Sequence, residues 1–445
     1  MSEQKRRKDI FVQGFALFAI FFGAGNLIFP PSLGMAAGDK WALAAFGFLL
    51  TDPVLPILGV IATAKVGGRA EDLGKRVSPG FAKVLGAVCI LVIGPLFAIP
   101  RTAATVYEIA VKPIAPGVPI IVISLIFFIL TYIFVSNQGH VIDNIGKILT
   151  PLLLIILAAI ILAAIVIASI VTPVGPIVAT KPNRYFLIGF QEGYQTMDAL
   201  GASLMAGIVL TDLILKGYKD RKEQEYMTIR VGLVSGVLLL LVYGGLTFVG
   251  ATGSGIFKGD ISRVDLLLKL VYGLFGNAGA VAISIAVALA CLTTAVGLTS
   301  TAANFFNSVS NGKLSYKAIS IAVVLCSLLL SVIGVEGLIS IAVPILSTVY
   351  PVMIVLILMT LFDRHIPNNM TYTGAVIGAF LISLIINING TFGILNGAMG
   401  IVKKLPLFEA GFPWIVPTIV LAILFTIFGK KNKPQSLEHE NSFKN

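Results

Sequence analysis

Residues 21–31 decide the fold class, and they read FFGAGNLIFPP. Two glycines, an asparagine and a proline pair interrupt a stretch that is otherwise apolar from residue 10 to residue 36. Glycine loosens a helix and proline removes a backbone donor, so the peptide groups here need other partners. In hydrocarbon such a break is tolerated inside protein or beside a cavity. The stretch therefore predicts a membrane helix that is broken in the middle. The alternative is a small-residue packing face, which the two-residue spacing of Gly23 and Gly25 does not fit.

The composition of the whole chain agrees with a membrane protein. Of the 445 residues, 57% are hydrophobic and 12% are charged, and the mean hydropathy is +0.97. Soluble domains carry about 25% charged residues, which excludes an ordinary globular enzyme. Disordered, collagen-like and disulfide-stapled secreted proteins are excluded as well. We expect an all-α polytopic membrane protein.

Apolar stretches of about 20 residues, the length that a bilayer core needs, recur along the chain. They predict twelve transmembrane helices, hereafter segments 1 to 12. Their ranges are 10–36, 41–64, 80–110, 118–136, 145–171, 185–215, 229–252, 277–304, 316–334, 338–362, 372–390 and 411–429. An amphipathic pattern over residues 256–275 predicts a surface helix between segments 7 and 8.

The basic residues predict the orientation. Of the 32 Lys and Arg residues, 22 fall on the side of the N-terminal tail 1–9 and the C-terminal tail 430–445, and ten fall on the other. Lys and Arg accumulate in cytoplasmic loops, so both termini are predicted to be cytoplasmic in a multi-pass plasma-membrane protein. The net charge of +11 is accounted for in this way and does not indicate nucleic-acid binding.

Segment 6 contains a second interruption, GFQEGYQTMDALG at residues 189–201. Ionised groups in the middle of a span are costly and normally face a cavity or a partner. Glu192 could instead be solvated near the outer interface, whereas Asp198 lies deeper in the segment. Because interruptions in segments 1 and 6 are five segments apart, they indicate corresponding breaks in two five-helix halves, with a transport site between them.

Two further segments carry polar side chains. In segment 8 five hydroxyls occur within residues 293–301; they could bond back to helix carbonyls or ligate Na⁺. In segment 3, Arg101 could pair with Glu108, or with Glu192 or Asp198 of segment 6, or extend to the surface. Asp52 lies at a proline in segment 2, where it could cap freed backbone groups or serve ion coupling.

The sequence contains few residues that could carry out catalysis. Three cysteines fall inside apolar stretches, and three histidines lie in connections or the tail. No metal-ligand spacing and no nucleophile motif is present. We therefore expect neither an enzyme nor a cofactor.

Three separated motifs resemble those of one known family. They are FGAGNLIFPP at 22–31, AIPRT at 98–102 and EGYQTMD at 192–198. These stretches resemble the bacterial branched-chain amino acid:cation symporters (the BrnQ or LIVCS family), and the resemblance covers essentially the whole chain. It implies a LeuT-like fold of the amino acid–polyamine–cation superfamily. The expected core is a 5+5 inverted repeat over residues 10–362, with halves 10–171 and 185–362, followed by two further helices within 371–429.

The resemblance also implies function and site residues. The family imports leucine, isoleucine and valine with Na⁺ across the lipid bilayer, and no obligate protein partner is implied. The implied substrate residues are Gly23, Ala24, Gly25, Asn26, Tyr194, Gln195, Thr196 and Asp198. The implied Na⁺ ligands are Ala19, Phe22, Val296, Thr299 and Ser300. Arg101, Glu108 and Glu192 form a candidate charge pair or gate. Segment 7 lacks the asparagine that ligates a second Na⁺ in LeuT-type proteins.

Two rival functions remain open at this point. A carrier of the same fold could be coupled to protons through Asp198, Glu192 or Asp52. A channel or a transport-like receptor would also accommodate the composition. Uphill accumulation of substrate in liposomes separates a carrier from both a channel and a receptor.

Overall fold

The structure is a computed structural model that describes residues 3–69, 71–136, 141–170, 184–255, 257 and 261–428. These residues form helices and connections and contain no β-strand. The α-helices are α1 (Glu3–Phe21), α2 (Ala24–Ala37), α3 (Trp41–Leu49), α4 (Leu55–Val66), α5 (Pro79–Leu91), α6 (Ala98–Val106), α7 (Ile120–Ser136), α8 (Val141–Ile170), α9 (Tyr185–Glu192), α10 (Asp198–Leu215), α11 (Arg221–Gly253), α12 (Arg263–Val309), α13 (Tyr316–Ser331), α14 (Gly334–Leu361), α15 (Asn369–Phe392), α16 (Asn396–Val402) and α17 (Ile415–Phe428).

Helices long and apolar enough to cross a bilayer run through the described residues. Seven such stretches are present: Ala24–Val66, Pro79–Val111, Asp198–Leu215, Arg221–Gly253, Arg263–Val309, Gly334–Leu361 and Asn369–Phe392. Four shorter apolar helices join them: Ile120–Ser136, Pro151–Val166, Tyr316–Ser331 and Ile415–Phe428. The chain is thus nearly all helical, as expected, while the number of twelve spans stays a prediction.

Several boundaries differ from the sequence-based expectation. Helix α1 begins at Glu3, so the predicted N-terminal tail 1–9 is helical from that residue onward. The predicted surface helix 256–275 is shorter and forms the start of α12, which is non-helical at Gly276. The short helix α16 between segments 11 and 12 was not predicted. The predicted C-terminal tail 430–445 lies outside the described residues.

Large apolar side chains cover the outer faces of the helices. On α7, for example, Leu125, Ile126 and Ile129 are each about half exposed. A soluble protein rarely exposes contiguous apolar surface of this extent, which is typical of contact with a membrane.

The chain divides into two compact units. Unit 1 comprises Met1–Val54, Ile90–Asp198 and Leu233–Ala342. Within it, α3 and α9 pack at backbone distance: a Cβ added at Gly47 would overlap the carbonyl of Phe186, and one at Gly189 would overlap that of Ala44. Close approach through small residues is a common way for membrane helices to associate. It brings segments 2 and 6 together.

Unit 2 comprises Leu55–Cys89, Ala199–Gly232 and Val343–Asn445. Its most polar contact is made by Arg76, which is 4% exposed. The guanidinium donates to Asp363 over 2.6 Å and lies 4.8 Å from the ring centroid of Tyr372. The Tyr372 hydroxyl donates to the same carboxylate over 2.6 Å. This ion pair ties the connection after segment 2 to the one after segment 10.

Replacing Gly189 by alanine is expected to destabilise the protein, because the new Cβ overlaps the Ala44 carbonyl and forces α3 and α9 apart. Overpacking of this kind typically costs about 1–3 kcal/mol. Thermal melting of the detergent-solubilised protein, followed by size-exclusion chromatography, measures the effect. Gly244→Ala is the matched control, since a Cβ added there, in α11, would meet no heavy atom within 4 Å. A Gly189→Ala protein that melts at the wild-type temperature would show that this contact is dispensable.

Candidate functional site

Segment 1 is divided between two helices. Helix α1 ends at Phe21 and α2 begins at Ala24, with Phe22 and Gly23 in between. The Gly23 amide points to the side-chain oxygen of Asn26 over 3.4 Å, in place of a carbonyl one turn earlier. The break leaves carbonyls at the end of α1 and amides at the start of α2 without helical partners. Carbonyl dipoles attract cations, and the free amides attract anions.

Segment 6 is interrupted as well. After α9 ends at Glu192, residues Gly193–Thr196 form a single 3₁₀ turn and Met197 takes a left-handed conformation with φ of 68°. Helix α10 then starts at Asp198. The turn is held by the Thr196 hydroxyl, which donates to the Gly193 carbonyl over 2.8 Å. Asp198 therefore lies at a helix N-terminus, where a carboxylate is stabilised.

Asn26 joins the two interruptions. Its side-chain nitrogen lies 2.7 Å from an oxygen of Asp198, 2.5 Å from the hydroxyl of Tyr243 and 3.3 Å from an oxygen of Asp52. Asn26 is 2% exposed. One amide group thus links segments 1, 2, 6 and 7 inside unit 1.

Segment 2 reaches this cluster through its own break. The backbone at Asp52 is extended, with φ of −155° and ψ of 109°, between α3 and α4. The neighbouring Thr51 hydroxyl donates to the Phe190 carbonyl over 2.9 Å. Asp52 itself is fully buried. The break turns its side chain toward Asn26.

Arg101 of segment 3 approaches segment 1 at Gly25. Its guanidinium donates to the Gln195 carbonyl over 2.8 Å, is 5.2 Å from the ring centroid of Phe29 and attracts the Asp198 carboxylate electrostatically. A Cβ at Gly25 would come within 2.5 Å of the guanidinium. A side chain at residue 25 would therefore displace the guanidinium from this position.

The two glutamates considered as partners of Arg101 make other contacts. Glu192 forms an ion pair with Arg263 over 3.1 Å, and the same arginine pairs with Glu336 over 2.5 Å. Glu108 accepts a hydrogen bond from the Val335 amide over 3.0 Å. Of the acids considered for Arg101, Asp198 is attracted to it electrostatically.

Segment 8 faces the break of segment 1. A Cβ at Gly23 would lie 3.8 Å from Thr294 of α12. Two of the hydroxyls bond back to the helix, Thr293 to the Ala290 carbonyl over 2.9 Å and Thr301 to that of Gly297 over 2.8 Å. These two hydroxyls therefore bond back to carbonyls of their own helix, which is one of the two alternatives stated above.

The other two predicted hydroxyls of segment 8 differ from them. Thr299 is fully buried, and its hydroxyl has no hydrogen-bond partner among the described residues. Ser300 accepts a bond from the Tyr316 hydroxyl over 2.9 Å. Val296 is also buried. A buried hydroxyl without a partner needs a ligand or a water, because leaving it unpaired is costly.

Comparison with known proteins decides the family. The profile described as "Branched-chain amino acid transport protein" matches residues 6–432. The chain belongs to this family. It is 38% identical to the branched-chain amino acid permease BraB of Bacillus subtilis (strain 168), with 94% of each chain covered. It is 36% identical to the branched-chain amino acid transport system 2 carrier protein of Pseudomonas aeruginosa, with 94% of this chain and 95% of that one covered.

The fold of this family member is similar to that of a solved transporter. Mhp1, a nucleobase-cation-symport-1 family transporter in a closed conformation with bromovinylhydantoin bound, matches with a TM-score of 0.59 at 13% identity, covering 94% of this chain and 92% of that one. Its inward-facing conformation matches with a TM-score of 0.58, covering 93% and 89%. The expected LeuT-like architecture agrees with this similarity, and the family is one of transporters and not of enzymes.

Sequence reasoning gave no partner for two residues that shape the site of this family member, Tyr243 and Arg263. Tyr243 lies in an apolar run of segment 7, and its ring stacks on Phe22 with centroids 6.1 Å apart. Arg263 falls within the amphipathic stretch 256–275. The signal for Tyr243 is a lone hydroxyl in the middle of an apolar span; the pairing of Arg263 with Glu192 had no signal in the sequence.

Replacing Asn26 by leucine is expected to destabilise the protein by about 1–3 kcal/mol, because two carboxylates and a phenol lose their shared donor. Thermal melting in detergent measures this. Asn387→Leu is the control, since the Asn387 amide donates to the Ser383 carbonyl of the same helix and is half-buried. If the two variants melt alike, the Asn26 cluster does not stabilise the fold.

Proposed function

We propose that this protein imports leucine, isoleucine and valine across the plasma membrane by Na⁺ symport, with both termini in the cytoplasm. The observation that carries the proposal is the Asn26 cluster, in which one amide connects the breaks of segments 1 and 6. A broken-helix pair at the centre of a membrane bundle provides backbone groups for a small charged solute. The relatives are branched-chain amino acid permeases and carriers, which indicates the class of substrate.

The substrate's polar end fits the two breaks. The amides of Ala24 and Gly25 open helix α2 and are suited to a carboxylate. Asp198 lies across the Asn26 side chain and is suited to an ammonium group. Gly23, Tyr194, Gln195 and Thr196 complete the polar lining. An α-amino acid carries these two charges on one carbon, so both ends can be held at once.

The aliphatic side chain needs apolar walls. Phe22 and Tyr194 are each less than 5% exposed in unit 1, and both flank the breaks. Binding sites of this kind combine a few polar groups with mostly apolar surroundings. A short branched side chain suits these walls better than a charged one.

The Na⁺ site is proposed at α1 and α12. Ala19 and Phe22 supply carbonyls freed by the break, while Val296 supplies a carbonyl and Thr299 and Ser300 supply hydroxyls. The alternation of the segments predicts that segments 1 and 8 run antiparallel. Measured along the helix axes from the Gly23–Thr294 contact, Ala19 then lies about 6 Å away and Thr299 about 7.5 Å away, both in the same direction. The buried, unpartnered Thr299 hydroxyl fits an ion there.

Alternating access is the proposed mechanism of transport. The related fold of Mhp1 is known in closed and inward-facing conformations. Breaks in segments 1 and 6 allow each half-helix to tilt separately, and coupling arises because substrate and Na⁺ share segment 1. The membrane potential adds about 2.3 kcal/mol per charge per 100 mV to uptake.

Proteoliposomes with an imposed Na⁺ gradient test the proposal. Leucine is expected to accumulate above its external concentration, and isoleucine and valine are expected to compete. Equilibration without accumulation would indicate a channel, and saturable binding without uptake would indicate a receptor. Accumulation driven by a pH gradient in Na⁺-free buffer would favour a proton-coupled carrier.

Replacing Thr299 by alanine is expected to raise the Na⁺ concentration for half-maximal leucine uptake at least tenfold, because a buried oxygen ligand is lost. Ser300→Ala is expected to act in the same direction. Thr301→Ala is the matched control, since that exposed hydroxyl bonds the Gly297 carbonyl, and its Na⁺ dependence should stay within twofold of wild type. If Na⁺ stimulates uptake by the Thr299→Ala variant as strongly as by the wild type, α12 does not contribute to the ion site.

A further inference from the structure

Asp52 is a charged group at the centre of unit 1 that the proposed transport of substrate and Na⁺ does not use. The residue is fully buried and lies where segment 2 leaves the helical conformation. One carboxylate oxygen faces the Asn26 amide at 3.3 Å. The other oxygen has no hydrogen-bond partner among the described residues. Burying a carboxylate oxygen without a hydrogen-bond donor is costly, and a bound ion would offset that cost.

The surroundings of Asp52 are acidic. The carboxyl of Asp198, from α10, approaches the same Asn26 nitrogen to 2.7 Å. The hydroxyl of Tyr243, from α11, is adjacent to both acids. The Thr196 hydroxyl, which donates to the Gly193 carbonyl over 2.8 Å, also lies beside the Asp52 carboxyl. The Asn26 amide has two protons for three acceptors, so it cannot satisfy all of them.

The charges around Asn26 do not balance. Asp52 and Asp198 carry two negative charges when ionised. Arg101, from α6, supplies one positive charge, acts on Asp198 and is bonded to the Gln195 carbonyl. The cluster formed by these three charged residues is therefore short of one positive charge. Ionisation of both carboxyls is disfavoured when they share a buried place, and a cation bound between them removes the repulsion.

The substrate does not supply this charge. A branched-chain amino acid is a zwitterion, so its ammonium arrives with a carboxylate and adds no net charge. The Na⁺ ion proposed at α1 and α12 is held by uncharged oxygens of other residues. A further ion of unit charge would supply the missing positive charge.

We propose that Asp52 and Asp198, bridged by Asn26, form a second monovalent-cation site that takes up one H⁺ or Na⁺ with each substrate molecule. The inference rests on the proposed function and adds a coupling ion to it. A proton would sit between the two carboxyls, and Na⁺ would use their oxygens together with the Tyr243 hydroxyl. Either ion restores neutrality and removes the repulsion between the two acids.

Coupling stoichiometry in proteoliposomes tests the proposal. Leucine uptake, ²²Na⁺ uptake, internal pH and the charge moved are measured together under a potassium–valinomycin clamp. The wild-type protein is expected to move two positive charges per leucine. Two Na⁺ ions per leucine would identify Na⁺ at the acid pair, whereas one Na⁺ and one H⁺ would identify a proton.

Asp52→Asn isolates the second ion, because the amide keeps the shape of the side chain and leaves Asp198 balanced by Arg101. The variant is expected to move one charge per leucine. Asp212→Asn is the matched control; this acid is 44% exposed and pairs with Lys216 one turn away, and the variant should keep two charges. Wild-type protein that moves fewer than two charges, or an Asp52→Asn variant that still moves two, would overturn the proposal.

A chemical measurement covers the case in which Asp52→Asn does not reach the membrane. Dicyclohexylcarbodiimide, which reacts with protonated carboxyls in apolar surroundings, is expected to label Asp52 of the wild-type protein, and raising Na⁺ or pH should reduce the label. Mass spectrometry that finds no such label overturns the proposal. Failure of wild-type liposomes to accumulate leucine would instead contradict the proposed function itself.

Discussion

The side-chain amide of Asn26 is the contact on which the rest of the site depends. It has two protons, and the oxygens of Asp198, Tyr243 and Asp52 lie between 2.5 and 3.3 Å from its nitrogen. A buried polar network of this kind is stabilising when it is satisfied and costly when it is not. Because each acceptor comes from a different segment, one side chain fixes the relative positions of four segments within unit 1.

The helix breaks are needed because a ligand can bind only to backbone groups that the helix does not use itself. A continuous helix through segment 1 would use its amides and carbonyls internally and leave none for a ligand. The break at Phe22 and Gly23 frees them, and Gly25 makes room for the Arg101 guanidinium. The charges at the site are thus few and closely placed, while the ion site proposed at α12 relies on neutral oxygens.

Much of this arrangement could be predicted from the sequence. Glycines, prolines and polar residues inside apolar runs indicated the interruptions near residues 23 and 197, because such residues are expensive in a continuous membrane helix. The apolar runs likewise gave the order of the helices. Asn26 and Asp198 were candidates for the same reason, although their direct contact was not foreseen.

Other features could not be read from the sequence. The pairing of Glu192 with Arg263 joins residues 71 positions apart, and local patterns carry no information on such a contact. The same holds for Tyr243, whose hydroxyl meets Asn26 across 217 positions. The start of α12 at Arg263 was missed because its amphipathic first turns resemble a separate surface helix.

A double-mutant cycle between Asn26 and Asp198 tests the central claim most directly. Leucine affinity is measured for wild type, Asn26→Ala, Asp198→Asn and the double variant, all reconstituted from monodisperse protein. If the contact joins the two breaks at the substrate, the effects are expected to be non-additive by about 0.5–3 kcal/mol, as is found for residues in contact. Effects that add to within about 0.3 kcal/mol would show that the two residues act independently and would contradict the account.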